Sequence, residues 1–141
     1  MKTHGRILIV DDDDAIRALL LTVLRRRGLQ ADAARHGIEA LDKLGLHNYE
    51  VMLLDLMMPH MSGYEVLDHL AAQPPESRPL VLVLTAGLEP RPLDTRIVIG
   101  MLHKPFDVEL LVDTVVGCMG ARLATQRDTA TLLPQPSEEA N

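Results

Sequence analysis

The chain has 141 residues, enough for one domain that buries roughly two thirds of its unfolded surface and too few for a second folded one. Lys and Arg number 14 against 20 Asp and Glu, a net charge of −6, so a basic footprint for nucleic acid is excluded, and with only Tyr49, Tyr64 and Phe106 as aromatics there is no stacking platform for bases. The N-terminal apolar run is too short for a signal peptide or a membrane span and the single Cys118 has no internal disulfide partner, so a soluble, cytoplasmic protein that engages neither nucleic acid nor membrane is expected.

Taken in order, Arg6 to Val10 reads as a strand that ends in Asp11, Asp12, Asp13 and Asp14. Asp14 is placed to cap or charge the start of a helix, with Ile16, Leu19, Leu20, Val23 and Leu24 at helical spacing, Arg17, Arg25, Arg26 and Arg27 on the solvated side, and Gly28 as the stop. Leu29 to Ala34 is a short edge strand. His36-Gly37 opens a helix with Ile38, Ala40, Leu41 and Leu44 facing inward, closed by Gly45. Tyr49 to Leu54 is a buried strand that delivers Asp55 to its C-terminal end. In the loop from Pro59 to Gly63, Ser62 caps the next helix and Gly63 permits a backbone shape that a side chain resists. That helix runs from Tyr64 to Gln73 and stops at Pro74-Pro75.

Leu80 to Thr85 is a strand covered on both faces. Gly87, Pro90 and Pro92 then break any early helix, and one that begins near Leu93 or Asp94 has at most about two turns before Gly100. Gly100 to His103 is the fifth strand, leading to Lys104-Pro105-Phe106, and Asp107 caps a final helix with Leu110, Leu111, Val112, Val115 and Val116 on its apolar face. Residues 120–141 read as a disordered tail after a domain over 1–119. The start at Met1 and the acidic end favour a complete gene product.

Strands that alternate with helices predict an α/β doubly wound, five-stranded parallel sheet with right-handed crossovers. The apolar contrast places the first, third and fourth strands centrally, which gives the order 2-1-3-4-5 with its ligand crevice between the ends of strands one and three. Asp11, Asp12 and Asp55 meet there, with Thr85 and Lys104 on the same edge. Carboxylates that converge need a cation, and all-oxygen ligands with room for water suit Mg²⁺. The six histidines show no pair at zinc spacing. A metal, a lysine and a hydroxyl facing one carboxylate make a receptor for a tetrahedral anion carried on that carboxylate.

Together ILIVDDD, VMLLDLMMPHMSG, LVLVLTAG and HKPF, in that order, resemble the receiver domain of two-component response regulators over residues 5 to about 119. The resemblance implies the flavodoxin-like receiver fold, with Asp55 as the phosphoacceptor that takes its phosphoryl group from a phosphohistidine on a sensor histidine kinase or a phosphotransfer protein. It implies Mg²⁺ held by Asp11, Asp12, Asp55 and the Met57 carbonyl. Lys104 and Thr85 would contact the phosphate, the amides of Met57 and Ala86 would donate to it, and the bond from Lys104 to Pro105 would be cis. Output would pass to a downstream effector protein through the face of the fourth helix, fifth strand and fifth helix, which also offers a homodimer contact.

Two departures fall on that face. Met101 stands where many receivers carry an aromatic switch residue, so switching would rest on Thr85 and Met101, and the segment between Thr85 and Lys104 is short, which implies a shortened or irregular fourth helix. Apolar Met57 and Gly87 leave no acid or amide to position an attacking water, which implies slow self-dephosphorylation. The expected function is a stand-alone bacterial phosphoacceptor module and no enzyme beyond its own phosphoryl transfer. The alternatives are a degenerate receiver that docks without phosphate, and a haloacid-dehalogenase-type phosphatase, whose second Asp is replaced by Met57.

Overall fold

The computed structural model describes residues 5–87 and 92–119. Five strands, β1 (Arg6–Val10), β2 (Ala31–Ala34), β3 (Tyr49–Asp55), β4 (Leu80–Thr85) and β5 (Val98–His103), form one sheet in the order β2-β1-β3-β4-β5. All four neighbouring pairs are parallel. Helices α1 (Asp14–Arg26), α2 (Gly37–Leu46) and α3 (Gly63–Ala71) and α4, over 108–119, cover it.

The period-2 side-chain alternation of each strand divides the core in two. Leu8, Val10, Met52, Leu54, Val81 and Val83 face α2 and α3, while Ile7, Ile9, Val51, Leu53, Leu82 and Leu84 face α1 and α4. β1, β3 and β4 are thus buried on both sides, the condition of central parallel strands. Successive strands therefore end along one edge of the sheet, and the polar residue that closes each apolar run is delivered there.

Local signals set the helix starts. Asp13, one residue before the expected cap, accepts the Ala15 and Ile16 amides, with Asp14 charging the first turn. Ser62 and Glu65 make a reciprocal capping box at α3. Gly63 is required by space: a Cβ there would lie 2.5 Å from the Asp55 carbonyl oxygen and 2.7 Å from Leu56 Cα. The left-handed backbone of this loop falls instead on His60, at φ 69°.

The sequence expectations need correction at a few places. Ile38, Leu110, Val116 and Leu19 are exposed, because each lies at the margin of its helix's apolar stripe and the sheet covers only the centre. The expected fourth helix does not form among the described residues: it is reduced to a turn at 95–97, where the Ile97 and Val98 amides both donate to the Asp94 carbonyl. Ile97 packs into the core and β5 starts at Val98, two residues early. The expected tail, 120–141, lies outside the described residues.

Candidate functional site

β1 ends at Val10, so Asp11 is the first residue beyond the sheet and is fully buried. Its carboxylate accepts the Asp13 amide at 2.9 Å, which turns the chain outward and leaves Asp12 exposed at the mouth. Asp55, the last residue of β3, is 3% exposed and accepts the Met57 amide at 3.1 Å. Carboxylate oxygens of Asp11, Asp12 and Asp55 lie within 4.8 Å of one another. Lys104 reaches the pair from the end of β5, with Nζ 2.9 Å from Asp11 Oδ2 and 3.5 Å from Asp55 Oδ2.

Three acids against one ammonium leave an excess of negative charge in a poorly hydrated place. Burial, and after it the Asp11 charge, push the Asp55 carboxyl up to about 6, against the Met57 amide and Lys104, which pull it down. Burial works against the Lys104 ammonium, but its hydrogen bond to Asp11 and the two carboxylate charges outweigh that and hold it above the usual lysine value. An oxygen-only donor set with uncompensated charge fits a hard divalent cation.

Thr85 is buried at the end of β4. Its hydroxyl is turned to its own loop, donating to the Gly87 carbonyl and accepting the Gly87 amide, both at 3.3 Å. The Lys104 amide donates to the Thr85 carbonyl at 2.7 Å, and the Lys104–Pro105 bond is cis, as the resemblance implies. Ala86 follows Thr85, exposed, and Met57 is 59% exposed beside Asp55. Met101 stands apart, half-exposed on β5 opposite Val83.

One side chain assigned from sequence to the solvated face belongs to this edge. Arg17 of α1 folds back, donating from Nη1 to the Asp11 main-chain oxygen at 2.9 Å and from Nη2 to Asp14 at 2.5 Å. The only sequence signal for it is an arginine one helical turn after a first-turn acid.

A family model described as the response regulator receiver domain matches residues 7–116. The chain belongs to this family. Receiver domains are signalling modules of two-component systems. This one is 34% identical over 115 residues to sporulation initiation phosphotransferase F of Bacillus subtilis, covering 79% of this chain and 91% of that one. It is 36% identical over 115 residues to the transcriptional regulatory protein CpxR homolog of Haemophilus influenzae, covering 77% of this chain but spanning only 47% of that protein's length. Among solved structures, the response regulator protein TrrA from Thermotoga maritima in complex with Mg(2+)-BeF superposes with a TM-score of 0.70 at 33% identity, covering 81% of this chain and 98% of that one. Among the described residues no helix is long and apolar enough to cross a membrane.

Proposed function

We propose that this receiver domain accepts a phosphoryl group on Asp55, in a Mg²⁺-dependent reaction, from a phosphohistidine on a sensor histidine kinase or phosphotransfer protein. The observation that carries the reading is the Lys104 ammonium between Asp11 and Asp55, with Asp12 alongside, at the ends of three strands of one parallel sheet. A relative named a phosphotransferase and a structural neighbour solved with Mg(2+)-BeF support it.

Asp11, Asp12, Asp55 and the Met57 carbonyl would hold the ion. When bound, Mg²⁺ supplies positive charge that offsets the carboxylates and the phosphoryl oxygens. Asp55 contributes the nucleophilic oxygen: its bond to phosphorus forms as the phosphorus–nitrogen bond of the donor breaks, and that electron pair leaves with the imidazole. Burial keeps the carboxylate poorly hydrated, so the fixed Lys104 charge and the Met57 and Ala86 amides act on the phosphoryl oxygens with little competition from water. Thr85 would exchange its Gly87 contacts for the phosphate. That exchange, with Met101 two residues before His103, the β5 partner of Thr85, would carry the change to a downstream effector protein or to a second copy through β5 and α4.

A phosphate-independent docking module is the second reading, favoured by the turn at 95–97 where, among the described residues, a fourth helix was expected. Incubation with acetyl phosphate and Mg²⁺ followed by intact mass separates the two. One added phosphoryl group, absent in Asp55→Asn, supports the phosphoacceptor; an unchanged wild-type mass supports the docking module.

A further inference from the structure

We infer that Arg17 is a positioning residue for the cation site, resting on the Mg²⁺ reading above. Its charge alone predicts the opposite of what its geometry predicts. A guanidinium beside a cation site repels the cation, so by Coulomb's law its removal should tighten Mg²⁺ binding. The geometry points the other way. Only 15% of the Arg17 side chain is exposed, and Nη1 donates to the main-chain oxygen of Asp11, the peptide unit that leads directly into Asp12. On the other side of Asp12, the Asp13 amide is held by the Asp11 carboxylate and the Asp13 carboxylate caps α1.

Asp12 is thus the one exposed acid of the trio, and its backbone is fastened before and after. Repulsion from Asp11 and Asp55 would drive its carboxylate out into solvent, where it is easily hydrated. The Arg17 contact opposes that swing by fixing the peptide plane that aims Asp12 at the other two. A charge-assisted bond to a buried carbonyl is rigid enough for this role, and partners that orient a metal ligand commonly set its affinity. Asp14 holds the far side of the guanidinium, but that acid is 88% exposed and serves only to steady the fork.

The test is Mg²⁺ titration by calorimetry on the full chain, with metal-free melting in parallel. Arg17→Met keeps the apolar stem and loses every donor. Mg²⁺ binding weaker by about tenfold, partly restored in Arg17→Lys, with Asp14→Asn close to wild type, is the expected result. Affinity unchanged or tighter in Arg17→Met overturns the inference, as does a lower metal-free melting temperature with Mg²⁺ affinity intact, which marks a purely structural arginine. Should Arg17→Met fail to fold, Arg17→Gln, whose amide is too short to span to Asp11, is held to the same outcomes. Wild-type protein that takes up no Mg²⁺ overturns the cation reading itself, a result distinct from a wild type that binds and a variant that binds equally well.

Discussion

Lys104 and Asp11 are joined at 2.9 Å across the width of two intervening strands, 93 residues apart in sequence. The ammonium lies closer to this fully buried acid than to Asp55, at 3.5 Å. Without bound metal, Lys104 is therefore the counter-ion that makes a buried carboxylate pair tolerable.

Replacing it by Met leaves both carboxylates buried and unpaired, a change that typically costs about 3–5 kcal/mol. Chemical denaturation of Lys104→Met should show a loss of that order in EDTA and a clearly smaller one in saturating Mg²⁺, because a divalent cation supplies the missing charge. An equal loss in both buffers would contradict this picture.

Asp55 adds a pH dependence of definite sign. Its folded-state value of about 6 lies above the ordinary 3.8, so its contribution to stability is fully present below about 4 and is lost as pH rises through 6. On the order of 3 kcal/mol is involved. Melting temperatures of the metal-free protein should fall over that window, and Asp55→Asn, which carries no charge to bury, should lack this part of the fall. Parallel pH profiles for the two proteins would refute it.

Much of this edge was legible because four strands are compact apolar runs that end in polar residues: Val10 before Asp11, Leu54 before Asp55, Leu84 before Thr85, and Leu102 before His103 and Lys104. Runs apolar throughout identify central strands, and the weaker Ala31–Ala34 identifies an edge, so sheet order and site followed together. What escaped depends on distances that periodicity does not encode. Arg17 has the spacing of a solvated residue, yet its long side chain folds back to a carbonyl six residues earlier. Ile38, Leu110 and Val116 fit their apolar stripes, yet all three are exposed. Gly63 reads as a residue whose backbone shape a side chain resists, while its actual constraint is the nearness of the Asp55 backbone.

That nearness gives a local prediction. A methyl group at position 63 would meet the Asp55 carbonyl oxygen and Leu56 Cα, both main-chain atoms with no rotamer to yield. Gly63→Ala should cost about 1–3 kcal/mol and slow acetyl-phosphate labelling of Asp55, since the strain is relieved by moving the acceptor's own backbone. Wild-type stability and labelling rate would count against it.

The surroundings of Asp55 also bear on how long a phosphoryl group persists. Met57 offers no polar atom beyond its backbone, and Gly87 no side chain at all, so no group of theirs can orient a water for attack. The phosphorylated protein in Mg²⁺ should decay over minutes or longer, and Met57→Asn, which introduces an amide able to orient water, should shorten that time. A wild-type lifetime of seconds would contradict this.

The central claim concerns one oxygen atom, and borohydride reads it directly. Reduction of protein treated with acetyl phosphate and Mg²⁺ converts an aspartyl phosphate to homoserine, which peptide mass mapping locates. Homoserine at position 55, lost when Mg²⁺ is omitted, is the predicted result. Homoserine at Asp11 or Asp12 instead, or none anywhere in the wild type, would contradict the account.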